Sequence, residues 1–392
     1  MDRAVSQGAV AVPLRPWTER GLRLAVTWET VVIAVALLAV RHTVFSLIAA
    51  GVLLITALVL GIPVGGLTLI QRIGRRARFQ RRARERASDP ALPTDLVPLG
   101  EWVPGLTVSQ TRSARGDDVG MITDGSSWTA LLGVASDDAL FADKDDRIDL
   151  SALRGLTVQD DIVFATLQVI TYTVPAPAGV MLMPGSPAVR SYLEIMGTNA
   201  PPAVRRTWIG VRLDPRLCLE AIASRGASND GVHATLRFGL HRVQSALKRQ
   251  GITTRELTAM EINDVLALTA GSAPDFGDVR SREEWDHWDC DGFAHCGRRV
   301  TGWGEDPSSG YQALLDALSG ANAVFGVTSY TLDGSDRSAG AVRLVAPTPD
   351  QAVNATNALQ EALSGRISFG PAGGDQVPAM LGTVPLGRQV EA

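Results

Sequence analysis

Chemistry-bearing side chains gather most densely in Trp285-Asp286-His287-Trp288-Asp289-Cys290-Asp291-Gly292-Phe293-Ala294-His295-Cys296. His287, Cys290, His295 and Cys296 are of the types that bind zinc, whose tetrahedral sites take four well-aimed N or S ligands, normally from paired short spacings. His295 and Cys296 are neighbours, and on a strand neighbours point to opposite faces, so at most one of them can join such a site. The competing reading is a loop entering a strand, with Trp285 and Trp288 packed as lids over buried thiols. Asp289 and Asp291 spell Asp-x-Asp, with which some sugar-nucleotide transferases hold a divalent cation through carboxylate oxygens. The tripeptide is common by chance. No catalytic, cofactor-binding or metal-binding residue is assigned, and no cofactor is expected.

The other chemical signals are weaker. His233 and His241 sit eight apart, near one face of a predicted helix, with no partner in view. Gly-x4-Gly-Lys-Ser/Thr, Gly-x-Ser-x-Gly and His-Glu-x-x-His do not occur, so the common NTPase, serine-hydrolase and zinc-protease signatures are missing. Asn354-Ala355-Thr356 matches a glycosylation sequon but falls in a predicted cytoplasmic helix.

Charge divides the 392-residue chain, whose formal net charge is −4. Residues 1–86 hold 13 arginines against four acidic residues; the remainder holds 24 basic and 37 acidic residues. An acidic body is a poor match for nucleic acid, which is gripped through its phosphates by clustered Lys and Arg. Lys144 and Lys248 are the only lysines; with the Ala and Gly content, this suits a GC-rich bacterial genome. Three cysteines, an odd and sparse set, fit a reducing compartment.

The element that must position the rest is apolar. Residues 24–40 and 44–70 form two apolar runs separated by Arg41-His42-Thr43, and a burst of arginines follows from Arg72 to Arg86. One helix of that whole length would reach about 70 Å, more than twice the ~30 Å of a hydrocarbon core. The expectation is a transmembrane hairpin with spans at about 22–40 and 44–70. Four arginines flank it on the N-terminal side and eight on the C-terminal side, against Arg41 in the turn. Basic flanks stay inside, which predicts a multi-pass inner-membrane protein with both termini cytoplasmic. A cleaved signal peptide is disfavoured, because a second, longer apolar run follows at once. Glu29, about one turn in and beside Trp28, reads as a side chain reaching headgroup water. Pro63, with Gly61, Gly65 and Gly66, predicts a kink in the second span. The Arg72–Arg86 segment is expected to continue that helix and to meet membrane lipids.

Beyond the hairpin the expected fold is an α+β cytoplasmic region with a ferredoxin-like βαββαβ unit in its C-terminal half. The boundaries read as a mobile tail (1–21), the transmembrane hairpin (22–71), a basic helix and Pro-rich linker (72–104), an α+β subdomain (105–275), the ferredoxin-like subdomain (276–370) and a loose C-terminus (371–392). Asp124-Gly125 is a hairpin turn signal, with an acidic loop (Asp137 to Asp146) beyond it. The runs 162–174 and 205–215 read as strands. Val232, Leu236, Leu240, Val243 and Leu247 mark a helix over 231–250, and 257–269 reads as a second. From 292 the order is strand, helix (311–318), strand (323–332), strand (341–345), helix (350–363), strand (366–369). Residues 105–250, β-rich and then helical, read as a degenerate relative of the same unit.

The hairpin, Arg205-Arg206-Thr207-Trp208 leading Ile209-Gly-Val-Arg-Leu-Asp-Pro215, the run Glu256-Leu-Thr-Ala-Met-Glu-Ile-Asn-Asp-Val-Leu266 and the Trp285–Phe293 segment together resemble EccE, a membrane component of the actinobacterial, including mycobacterial, type VII (ESX) secretion system. The resemblance implies a structural, non-catalytic subunit of an inner-membrane core complex with EccB, EccC and EccD, in several copies, seated against EccD. ATP hydrolysis would belong to EccC. The alternatives are a membrane-anchored sugar-nucleotide transferase or other enzyme using Asp289 and Asp291, and a cytoplasmic sensor or tether.

Overall fold

A computed structural model describes residues 19–40, 43–61, 68–85, 92–112, 116, 118–135, 148–159, 161–175, 179–181, 186–196, 203–226, 228–272, 280–335 and 337–388. Most of the expected tail, the turn residues Arg41 and His42, the Pro63 kink, part of the Pro-rich linker and the acidic loop lie outside them. The chain forms two compact units, Met1–Gly74 and Arg75–Ala392.

The first unit holds helices α1 (Glu19–Val40) and α2 (Val44–Gly61), packed along one another. Thr43 starts α2: its hydroxyl accepts the Ser46 N–H, and the Ser46 hydroxyl accepts the Thr43 N–H in return. Among the described residues no helix is long and apolar enough to cross a membrane. This overturns the expected transmembrane hairpin. The predicted second span does not run as one described helix: α2 stops at Gly61 after 18 residues, about 27 Å, short of a ~30 Å core, and α3 (Leu69–Arg84) starts separately. In α1 the uninterrupted apolar part, residues 30–40 after Glu29, is only about 16 Å long. Both helices are nevertheless apolar around much of their surface, with Val32, Ile33, Leu37, Val44, Ile48, Val52 and Ile55 exposed and Phe45 87% exposed.

The second unit begins within α3 and continues through α4 (Val97–Gly100), β1 (Thr107–Arg112), β2 (Asp118–Thr123), β3 (Trp128–Val134), β4 (Val158–Gln159), β5 (Ile162–Val163), β6 (Thr166–Val174), α5 (Pro187–Met196), β7 (Val204–Leu213), α6 (Leu219–Arg225), α7 (Ser228–Arg249), β8 (Thr254–Glu256) and α8 (Ala259–Ala270). There follow β9 (Ser281–Glu283), β10 (Trp288–Cys290), β11 (Phe293–Gly302), α9 (Pro307–Ser319), β12 (Phe325–Asp333), β13 (Ser338–Ala346), α10 (Pro349–Ala362), β14 (Ser368–Phe369) and α11 (Gln376–Gly382). Local chemistry sets many of the boundaries. Thr258 and Glu261 form a capping box at the start of α8; Asp306 and Thr348 cap α9 and α10, each ahead of a proline whose missing N–H is harmless in the first turn.

One antiparallel sheet of 12 strands runs through residues 105–275 and 276–370 alike, in the order β1-β2-β3-β7-β6-β12-β13-β11-β10-β9. β8 pairs with β3 and β14 with β11, off that path. The arrangement repeats itself. β3, β6, β7 and β8 lie in the order β8-β3-β7-β6; β11, β12, β13 and β14 lie in the corresponding order β14-β11-β13-β12. Each set has a hairpin before it (β1-β2, β9-β10) and a helix after it (α8, α11). The sets meet where β6 pairs with β12, from Gly326↔Thr173 to Asp333↔Thr166.

Strand alternation sends side chains to two cores. Ile209 and Val211 of β7, Leu332 of β12 and Val342 of β13 face α6, α7, α9 and α10; Trp208, Val327 and Val345 face α4, α8 and α11. The five residues that mark the α7 stripe are all buried on the first face. Gly239 of α7 sits against the Phe164 ring, where a Cβ would lie 2.1 Å from Cζ.

The C-terminus, expected to be loose, is a strap. Val377, Met380, Val384 and Leu386 are buried in the second core. The fully buried Gln168 of β6 donates to Gly382 O (2.8 Å) and accepts from Gly387 N (2.7 Å); Thr129 and Arg212 both donate to Leu386 O. Arg212 and Arg388 then meet on Asp124 Oδ2, each at 2.7 Å, and hold that carboxyl far below the usual carboxylate range despite its burial. Replacing Gln168 by Ala strips two buried backbone groups of their partners. It is expected to cost about 2–4 kcal/mol in urea unfolding; a loss under about 0.5 kcal/mol would contradict the strap.

Candidate functional site

The Trp285–Cys296 cluster belongs to a three-strand meander. β10 pairs with β9 (Trp288↔Glu283) and with β11 (Trp288↔His295, Cys290↔Phe293). Asp291 and Gly292 make the two-residue turn between β10 and β11, at φ 45° and 82°. Both angles are positive, as the favoured tight hairpin turns require, and Asp-Gly suits them.

That turn decides the Asp-x-Asp question. The Asp291 side chain is fully buried, and Arg280 grips it bidentately: Nε to Oδ1 at 3.0 Å and Nη2 to Oδ2 at 2.5 Å. The pairing raises the guanidinium pKa above its ordinary value. Asp289 points to a different environment, half-exposed, with His287 Nε2 at 3.4 Å and His287 Nδ1 on Asp286 at 2.7 Å. The two carboxylates therefore do not converge.

His295 is fully buried. Its ring lies edge-on to Trp288, with centroids 4.8 Å apart, and Nδ1 takes a hydrogen bond from Arg343 at 2.5 Å. Burial, then the neighbouring Arg343, keeps the imidazole pKa well below its ordinary value, so the ring is neutral and accepts through Nδ1. Arg343, also fully buried, donates to Thr383 Oγ1 at 3.0 Å, to Ala270 O at 3.2 Å and to Thr269 O. One cation thus sits at the carboxyl ends of α8 and α11, where helix dipoles favour positive charge. Burial lowers its pKa to about 10, which leaves it charged at neutral pH. Gly271, the left-handed cap of α8 (φ 79°), completes the packing: a Cβ there would lie 2.6 Å from His295 Cε1.

The thiols are inert packing groups. Cys290 is buried with Sγ 3.9 Å from Gly271 O, and burial pushes its pKa up strongly. Cys296 points to the opposite face from His295, among Ala294, Ala346 and Ala352, and its pKa too is raised by burial. Among the described residues no group of three or more His, Cys, Asp or Glu is placed to hold a metal ion. His233 is half-buried against Trp128 at 4.7 Å, while His241 is exposed; they share no site. A groove of about 480 Å³ beside the end of α10, lined by Asn357, Gln360, Glu361 and Phe369, contains none of the residues singled out.

The basic helix supplies groups that sequence reasoning did not separate. Arg75 of α3 is buried, with Nε on Asp375 at 3.0 Å and donors on Pro371 O and Ala372 O. Arg82 grips Glu283 through Nε (3.0 Å) and Nη2 (2.9 Å), and the Glu283 side chain, 1% exposed, also accepts the Val377 N–H. Between them Phe79 packs edge-on against Trp285 at 5.5 Å, and the Trp285 ring covers Gly373 and Gly374, where any Cβ would collide with it. Arg343, Arg280 and Glu283 also escaped the sequence reading. Only Arg343 left a signal, a lone charge in the apolar run Ala341–Ala346.

Residues 201–298 match the family model described as "Putative type VII ESX secretion system translocon, EccE". The match spans β7 to most of β11, including the whole Trp285–Cys296 cluster, and it bears out the resemblance to EccE. No curated protein matches the chain.

If Asp291 is a structural ion, Asp291→Ala should lose about 3–5 kcal/mol of stability, the cost of breaking a buried pair. Asp289→Ala should stay within about 0.5 kcal/mol. Chemical denaturation of the two variants measures this; equal, small effects would restore Asp-x-Asp as a candidate cation site.

Proposed function

We propose that this chain is a structural, non-catalytic subunit of the ESX/type VII secretion core complex. It assembles at the membrane with EccB, EccC and EccD, against EccD most directly and in several copies. The observation that carries this reading is the family match over the segment with most of the candidate chemistry, where Asp291, His295, Cys290 and Cys296 are all engaged in packing or internal pairing. The apolar surface of α1 and α2 supplies area for packing against neighbouring subunits, since exposed apolar patches of such extent mark interaction sites. The Arg72–Arg86 segment meets membrane lipids. ATP hydrolysis resides in EccC. The transferase alternative is disfavoured because both Asp291 oxygens are held by Arg280; nothing specific favours a sensor or tether.

Affinity purification of the full chain in mild detergent, with identification of the co-purifying chains, tests this. The expected result is recovery of EccB, EccC and EccD, lost by at least about tenfold when residues 19–61 are deleted, roughly the contribution of one strong interface cluster. Recovery of none of them with the full chain would overturn the reading, and unchanged recovery after the deletion would overturn the role of the hairpin.

A further inference from the structure

Five of the seven arginines of α3 fall into two sets, and the other two, Arg72 and Arg78, are exposed at the flanks of the inward stripe. Arg75, Phe79 and Arg82, spaced i, i+4, i+7, form the inward stripe held by Asp375, Trp285 and Glu283. At about 100° per residue, Arg76, Arg81 and Arg84 lie about 100°, 240° and 180° around the helix from Arg75. All three are exposed, with Ala77 and Gln80 between them around the helix, and Arg76 at the edge of the strip also lies over the Trp285 ring, 6.0 Å from its centroid. Because the inward stripe is held by the partly exposed Asp375 and the buried Glu283, the helix cannot roll, and the outward arginines form a basic strip of fixed orientation.

We propose that this outward strip of α3 seats on an anionic lipid headgroup surface. The inference rests on the membrane-complex reading above and deepens it by naming which side chains meet lipid. Charge complementarity argues for the occupant: each arginine near an anionic leaflet adds about fivefold to partition. The acid carried beside the strip, Glu85, pairs with Arg81 at 2.6 Å with both partners well exposed, a contact weak enough to exchange for phosphate. Between the arginines the strip carries only alanine and glutamine, and one to two turns earlier the same side of α3 exposes Ile70 and Ile73, an order of apolar and basic groups that suits the edge of a lipid layer. An extended polyanion such as nucleic acid would be repelled by the acidic remainder of the chain. The strip also follows, in sequence, directly on the apolar helices α1 and α2.

The three cysteines are all free and buried, so a thiol placed at the exposed Gln80 is selectively labelled. The experiment uses the full chain carrying Gln80→Cys with an environment-sensitive fluorophore. It is mixed with vesicles of phosphatidylcholine alone, or of phosphatidylcholine with one third phosphatidylglycerol. The expected result is a blue shift on the anionic vesicles only. It should be lost in high salt and in the combined Arg76→Gln, Arg81→Gln, Arg84→Gln variant, whose circular dichroism stays native. Equal shifts on both vesicle types, a shift retained in the triple variant, or a shift produced by a soluble oligonucleotide or polyglutamate but not by vesicles would each overturn the proposal. Failure here with co-purification intact leaves the subunit reading standing; loss of co-purification with the shift intact does the reverse.

Discussion

The pairing of β6 with β12 is the constraint on which the rest depends. All nine residues of β12 are buried, and β6 is nearly as enclosed. Neither could serve as an exposed sheet edge, because an unpaired apolar strand invites aggregation. Joined through eight register pairs, the two four-strand sets become one sheet with helices on both faces. The strap reinforces the seam from above: it starts from α11 on the second set and ends on Asp124, Arg212 and Thr129 of the first.

Buried charge is spent on fastening. Arg343 ties the ends of α8 and α11 to His295; Arg280 ties the β10–β11 turn to the chain before β9; Glu283 and Asp375 hold α3. Such pairs add little net stability over apolar packing, yet breaking one leaves an uncompensated charge. They therefore act as alignment devices, fixing which turn of α3 faces the sheet and which face remains outside. That division suits a subunit that holds its neighbours in place.

Local structure was legible where the pattern is short-ranged. The α7 stripe, the helix read over 257–269, the Asp124-Gly125 turn and the strand–helix order after residue 292 are each fixed by neighbours a few positions apart. The strap was not legible, because its partners lie 174 or more residues away and its contacts are largely to backbone. The apolar hairpin was misjudged through length: hydropathy alone joined residues 44–70, while the described helix stops at Gly61. In α3 the abundance of arginine hid the i, i+4, i+7 stripe, and charge counting gave every arginine the same role. The candidate cluster was found, but only partner residues far off in sequence show that its groups are occupied.

Native-state hydrogen exchange on the full chain tests the central claim most directly. If one sheet is closed at the β6–β12 seam, the amides of both strands exchange only with global unfolding, at one common free energy shared by residues from β3 to β13. Two separate exchange free energies, with the seam amides opening before either half, would contradict the account.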